Sequence, residues 1–126
     1  MTDHPGIADA VVIVTGAGSG IGAAVARRLA AAGAVPVLVG RRGALLDEVA
    51  FEIAEHGGRS LAVAADLADV DTPEHVVARA VAEFGRVDGL VNNAAVVAHH
   101  PVGEWTPAGF DEHVAVNVRA PYFLVR

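Results

Sequence analysis

The stretch Thr15–Gly22 contains the residue types needed to hold an anion with backbone amides. Its four glycines alternate with other residues, and glycine lets a backbone come close to a phosphate. Four apolar residues, Val11–Val14, precede it as a buried strand would, and a helical pattern follows as far as Gly33. A helix N-terminus after a strand presents free N–H groups and partial positive charge to a dinucleotide pyrophosphate. The residues that we expect to bind a cofactor here are Gly16, Gly18, Ser19, Gly20, Ile21 and Gly22.

The glycine spacing alone is a weak indication. The strict G-x-G-x-x-G pattern fails because Ile21 stands at the third glycine position counted from Gly16 and Gly18. The form that ends in alanine fits at Gly18, Gly20 and Ala23. The alternative is a glycine-rich turn without a ligand, and the flanking strand and helix favour phosphate binding over it.

A second candidate residue follows the next apolar run, Val35–Val39. In NAD-binding versions of such a unit, an acidic residue about 20 positions past the glycines bonds the ribose 2′-hydroxyl. Here Gly40 takes that place and Arg41 follows it. A guanidinium pairs well with a 2′-phosphate, so the sequence predicts NADP(H) in preference to NAD(H). The alternative is a solvated arginine pair that opens the next helix.

Three motifs in order resemble those of the short-chain dehydrogenase/reductases. Thr15–Gly22 matches the T-G-x-x-x-G-I-G pattern, and Val91–Ala94 resembles the N-N-A-G motif. Asn117, within VAVNVRAPYFL, resembles the catalytic asparagine of that family. The resemblance covers nearly the whole chain and implies an oxidoreductase that moves a hydride between a nicotinamide cofactor and a carbonyl or alcohol carbon.

The resemblance also implies roles for single residues. Asp66 would contact the adenine amino group, with Leu67 contributing backbone nearby. Asn117 would distort its helix and hold a water of the proton relay. The residues that would brace the sheet and contact the cofactor ribose are Asn92, Asn93 and Ala94. The alternative for Asp66 is a helix-capping or loop aspartate, and the alternative for Asn117 is an ordinary helix-end asparagine. The alternative for the asparagine pair is an asparagine-rich turn without a ligand.

The elements that position these residues alternate between strand and helix. This order predicts an α/β fold, the first half of a Rossmann-type doubly wound parallel sheet, with the family's strand order 3-2-1-4. We expect Thr72 to cap the third helix and Thr106 to open the last one. The predicted strands are Val11–Val14, Val35–Val39, Ser60–Ala64 and Val87–Val91. The apolar residues expected on one side of a helix are Ile21, Val25 and Leu29 in the first, and Phe110, Val114 and Val118 in the last.

The chain contains no lysine, because all nine basic side chains are arginine. The family's catalytic residues are a serine, a tyrosine and a lysine, and the lysine stands four residues after the tyrosine. Tyr122 and Arg126 imitate that spacing, but arginine stays protonated and is poorly suited to relaying protons. We therefore expect residues 1–126 to form the N-terminal portion of an NAD(P)-binding domain, truncated before its catalytic half and inactive alone.

Composition excludes several classes of function. The net charge of −6 and the lack of a basic stripe argue against nucleic-acid binding. The absence of cysteine excludes thiolate chemistry, and no apolar run is long enough for a membrane span. Adjacent His99 and His100 are expected in a loop, not at a metal, since no further ligands are suitably spaced. We expect a cytoplasmic protein with a small-molecule substrate, forming a homodimer or homotetramer when complete.

Two other functions remain open at this level. One is a nucleotide-binding module or split subunit without catalysis. The other is a methyltransferase-like domain of related fold, against which the T-G-x-x-x-G-I-G motif and the asparagine pair argue.

Overall fold

The computed structural model describes residues 6–96, 101 and 103–125. Within this part of the chain, strands and helices alternate through the first 91 residues, and three consecutive helical segments follow. In chain order the elements are β1 (Val11–Thr15), α1 (Gly20–Ala31), β2 (Val35–Gly40), α2 (Gly43–Glu55), β3 (Leu61–Ala64), α3 (Thr72–Phe84), β4 (Gly89–Val91), α4 (Pro107–Val114), the π-helical segment (Ala115–Arg119) and α5 (Ala120–Val125).

The four strands form one parallel sheet in the order β3-β2-β1-β4. Ile13 lies opposite Val37 of β2 on one side and Leu90 of β4 on the other, which fixes the register. The order is the one predicted, with all connections long enough to pass through a helix. The carboxyl ends of the strands therefore meet at a single edge, as ligand binding in such sheets requires.

Strand β4 is shorter than the predicted Val87–Val91 because Asp88 bonds differently from a central strand residue. Its backbone N–H donates to Val11 O at 2.8 Å, and its carboxylate Oδ2 accepts from Val11 N at 2.8 Å. The side chain thus replaces a strand partner at the start of β1. The ladder proper begins one residue later, at Gly89.

Helices cover both faces of the sheet, as a parallel sheet requires. On one face, Val37 and Val39 pack with residues of α3, the π-helical segment and α5. On the other face, Val14 and Leu38 pack with α1 and α2. The alternation of side chains along β2 therefore buries both of its faces, which explains why Val35–Val39 is continuously apolar.

Helix α1 contacts the sheet through small residues, contrary to the predicted apolar side. Ile21 is 74% exposed, and the buried residues are Gly22, Ala23 and Ala26. A Cβ built on Gly22 would lie only 2.1 Å from Gly16 O, so the helix start lies against the preceding loop. The apolar side predicted from Ile21, Val25 and Leu29 is therefore not the side that is fully buried, because close approach here requires the small residues.

Of the two threonines predicted at helix starts, Thr106 caps its helix and Thr72 does not. Thr106 accepts a hydrogen bond from Gly109 N at 3.0 Å, which confirms it as the cap of α4. Thr72 is instead the first residue of α3, and its hydroxyl donates to Asp66 O at 2.6 Å. Its side chain therefore closes the loop before the helix.

The last predicted apolar stripe is exposed. Phe110 is 60% exposed and Val118 is 62% exposed, while Val114 is 38% exposed. Tyr122 and Phe123 of α5 are exposed as well and meet edge to face, with ring centroids 5.1 Å apart. The helices from Pro107 onward thus present an apolar surface. None of the helices in the described part of the chain has the length and apolar character needed to cross a bilayer.

Candidate functional site

A cleft of about 310 Å³ lies at the carboxyl ends of the strands. All four βα connections contribute to its walls, and they bring together eight of the predicted site residues. Those residues are Gly16, Gly18, Ser19, Arg41, Asp66, Leu67, Asn93 and Ala94. The cleft is therefore open to a ligand that spans from β4 across β1 to β3.

The glycine loop after β1 is shaped by two different requirements. Gly16 and Gly20 have positive φ, +66° and +56°, a conformation that residues with a side chain rarely adopt. A Cβ on Gly16 would also lie 2.8 Å from Asn93 Nδ2, whereas one on Gly20 would meet no atom within 4 Å. Gly16 is thus required for both space and conformation, and Gly20 for conformation alone.

The start of α1 faces this loop with no side-chain cap. Ser19 is extended and makes no capping hydrogen bond, although serine is a favoured cap residue. The amides of the first helical turn therefore have no side-chain acceptor from Ser19, which leaves them suited to an anion in the cleft.

Four predicted cofactor residues and the predicted catalytic one do not line the cleft walls. Gly22 lies behind the loop, where it permits close packing, and Gly20 sets the turn. Ile21 and Asn92 are exposed. Asn117 contacts the cleft only indirectly, through its hydrogen bonds to Val96 in the loop after β4.

Thr15, the first residue of the T-G-x-x-x-G-I-G motif and not one of the predicted cofactor residues, organises the centre of the site. It is 1% exposed, and its hydroxyl oxygen accepts from Asn93 N and Ala94 N, both at 3.0 Å. The hydroxyl in turn lies 3.4 Å from Val91 O. Asn93 Nδ2 completes the junction by donating to Gly16 O at 3.3 Å. A polar residue at the end of a buried strand was the available indication of this role.

Two adjacent guanidinium groups stand at the end of β2. Arg41 and Arg42 are both exposed and both line the cleft. No ion pair within the described residues includes either of them. Of the two, only Arg41 was predicted to bind the cofactor, although Arg42 has the same chemistry. Glu112 of α4 also lines the cleft and was not among the predicted residues.

The loop after β3 holds Asp66 in a defined orientation. Its Oδ1 accepts from Ala68 N at 2.9 Å, which is the loop role considered as an alternative. The same residue lines the cleft, beside the buried Leu67. A carboxylate has two oxygens and several lone pairs, so the turn and a ligand amino group are compatible partners.

Asn117 lies within the π-helical segment, so the irregularity that the resemblance implied at this position is present. Its Oδ1 accepts from Val96 N, and its Nδ2 donates to Val96 O, both at 2.9 Å. This two-point contact fixes Val96, which lines the cleft. One donor and one acceptor position of the Asn117 amide are thus used by a single backbone residue of the loop after β4.

Of the remaining candidates, only Tyr122 belongs to the described residues, and it does not line the cleft. Tyr122 is 63% exposed on α5, and Arg126, its supposed partner, lies outside the described residues. His99 and His100 also lie outside them. Among the residues that are described, no group of three or more His, Cys, Asp or Glu side chains is arranged to hold a metal ion.

Comparison with known proteins gives consistent matches. The family model described as short chain dehydrogenase matches residues 10–126. An L-rhamnose 1-dehydrogenase (NAD(P)(+)) from Azotobacter vinelandii is 44% identical over 124 residues, covering 94% of this chain and 48% of that protein. A metagenomic short-chain oxidoreductase solved in complex with NADP superposes with a TM-score of 0.90 at 41% identity, covering 95% of this chain and 55% of that one.

A third match carries a different cofactor. The 3-ketoacyl-(acyl-carrier-protein) reductase from Brucella melitensis, solved in complex with NADH, gives a TM-score of 0.85 at 40% identity, covering 94% of this chain and 48% of that one. The chain thus spans about half the length of the relatives it matches. With the family match over residues 10–126 and the parallel sheet described above, the chain belongs to the short-chain dehydrogenase family.

Proposed function

We propose that this chain binds NADP(H) in the cleft at the strand ends, as part of an oxidoreductase that transfers a hydride between the cofactor and a carbonyl or alcohol carbon. The observation that carries the proposal is the junction of the glycine loop with the loop after β4. There Gly16, Asn93 and Thr15 are joined by hydrogen bonds, and an added Cβ at Gly16 would collide with Asn93.

The residues present fit a dinucleotide from one end of the cleft to the other. The uncapped start of α1 beside Gly18 and Ser19 suits the diphosphate, because its amides carry partial positive charge. Asn93 and Ala94 would contact the ribose next to the diphosphate. Asp66 would accept a proton of the adenine amino group at the β3 end.

The preference for NADP(H) over NAD(H) is part of the proposal. Arg41 and Arg42 follow β2, between the glycine loop and Asp66, which is where a 2′-phosphate on the adenosine would lie. Their charge is not neutralised by an ion pair within the described residues. Charge-assisted bonds from a guanidinium to a phosphate are among the stronger polar contacts.

When bound, the nicotinamide supplies the hydride chemistry, and the residues of this chain supply position. Of the family's catalytic set we assign only Asn117, acting through the backbone of Val96. The chain contains no lysine that would lower a tyrosine pKa. We therefore propose that these residues bind the cofactor without turning over a substrate by themselves.

The second candidate function is a nucleotide-binding module or split subunit without catalysis. We also propose that the protein is cytoplasmic. A further proposal is that it forms a homo-oligomer, which the exposed apolar residues Phe110, Val118 and Tyr122 support. Sedimentation of the purified chain measures its mass in solution. A monomeric mass that does not rise with protein concentration would contradict that assembly.

Calorimetric titration with NADPH and NADH tests the cofactor proposal. In wild type we expect NADPH to bind more tightly. Arg41→Asp should weaken NADPH binding by about 10- to 100-fold, from the loss of a charge-assisted bond, and leave NADH binding nearly unchanged. Arg28→Asp, an exposed residue of α1 outside the cleft, makes the same charge change as a control. Equal losses for both nucleotides would contradict the preference, and no binding by wild type would contradict the function.

A further inference from the structure

The π-helical segment Ala115–Arg119 fastens two loops of the cleft with two side chains. Asn117 holds Val96, after β4, by the two bonds described above. Arg119 reaches a different loop, where its Nη2 donates to Ala68 O at 2.5 Å across 51 positions of sequence. One short helical segment therefore contacts both the β4 side and the β3 side of the site.

We propose that Arg119 is a positioning residue for nucleotide recognition, acting through Ala68 on the carboxylate of Asp66. The inference rests on the proposed function, since it assumes that Asp66 meets the base of a bound nucleotide. Arg119 does not itself line the cleft and would not touch the ligand.

The contacts form a short, continuous path. Arg119 holds the carbonyl of Ala68, and the N–H of the same residue donates to Asp66 Oδ1 at 2.9 Å. The hydroxyl of Thr72 donates to Asp66 O at 2.6 Å. Of these three bonds, only the one from Arg119 comes from a residue distant in the sequence, because Thr72 begins the helix that directly follows the loop. Without it, Ala68 and the carboxylate that it orients would be held by local contacts alone.

The partner of Arg119 is unusual for a half-buried cation. No carboxylate pairs with it in any ion pair within the described residues. Its donor goes to a neutral backbone carbonyl, although pairing with an acid is the common way to offset the cost of burying charge. A residue serving only to pack the segment against α3 would not need this donor. Fixing a loop carbonyl is what the donor achieves.

The test compares NADPH with its hypoxanthine analogue, in which a carbonyl oxygen replaces the adenine amino group. A well-oriented Asp66 should favour NADPH by about tenfold in Kd, the typical effect of one hydrogen bond to a charged group. Arg119→Met, which keeps the length but removes the donor, should lower this ratio to about threefold or less. Arg119→Lys should restore most of it, because an ammonium also donates to a carbonyl.

Arg79→Met serves as the matched control. Arg79 is exposed on α3, so this variant removes one positive charge without touching Ala68. It should keep the wild-type ratio even if both nucleotides bind more weakly. If Arg119→Met does not fold, Arg119→Leu replaces it, with the same reduced ratio expected because leucine also lacks a donor.

The outcomes separate the two proposals. A lower melting temperature with an unchanged ratio in the Arg119 variants would reduce the residue to a structural role and overturn the inference. A wild-type ratio near one would overturn it too, because Asp66 would then not meet the base. Failure of wild type to bind either nucleotide would instead overturn the proposed function.

Discussion

Gly22→Ala sets two physical effects of opposite sign against each other. Gly22 lies in the first turn of α1, and alanine in place of glycine within a helix normally stabilises a protein by about 0.5–1 kcal/mol. Here the new Cβ would lie 2.1 Å from Gly16 O and 2.6 Å from Asn93 Nδ2. The first of these is backbone, so the helix start or the loop must shift by about 1 Å to regain ordinary contact.

We expect the steric effect to prevail. Overpacking of this kind costs about 1–3 kcal/mol, which exceeds the gain in helix propensity. The same shift moves the loop amides relative to the cleft, so NADPH binding should weaken by at least about tenfold, as one lost hydrogen bond would do.

Urea unfolding and calorimetric titration of NADPH measure the two effects. Gly43→Ala is the control, because Gly43 also starts a helix but its added Cβ would meet only Ala64 Cβ, at an ordinary 3.5 Å. It should leave the free energy of unfolding unchanged or raised. If Gly22→Ala were as stable as wild type and bound NADPH equally well, the close approach of α1 to the loop would be refuted.

Two further substitutions test hydrogen bonds of the sheet, one at the cleft and one at the opposite end of the strands. Thr15→Val keeps the shape but removes the acceptor for Asn93 N and Ala94 N, so we expect a loss of about 1–3 kcal/mol in urea unfolding and weaker NADPH binding; unchanged values would contradict the bonding role. The hydrogen bond from Arg86, and next the backbone amide of Val11, lower the pKa of Asp88 in the folded protein. Its contribution to stability is therefore present above its unfolded pKa and lost as the pH falls through the lower folded value. Asp88→Asn should flatten the pH dependence of unfolding below about pH 4, and an identical acid limb in both proteins would contradict this.

The sheet and the position of the cleft were predictable from local patterns. Val11–Val14 and Val35–Val39 are continuous apolar runs, each followed within two residues by a glycine, and this pattern indicates strands buried on both faces. Their alternation with helical patterns leads to the observed strand order through the family resemblance. The glycine stretch and Arg41 were found because their chemistry depends on residue type and on the strand that precedes them.

Other features depend on contacts between distant residues and could not be predicted in this way. Ile21 fits an apolar helical side, but Gly22 and Ala23 decide which side meets the sheet, because only small residues allow that distance. The bonds from Thr15 to the loop after β4 and from Arg119 to Ala68 join positions more than 50 residues apart. Periodicity contains no information about such pairs.

The central claim is that the backbone amides of the loop and helix start at Gly16–Gly22 hold the diphosphate of a nicotinamide dinucleotide. Amide chemical shifts of the isotope-labelled chain, recorded during titration with NADPH, test it most directly. The account predicts the largest shifts at Gly18–Gly22, with smaller ones at Arg41 and Asp66. Saturable binding that leaves the Gly18–Gly22 amides unshifted would contradict it.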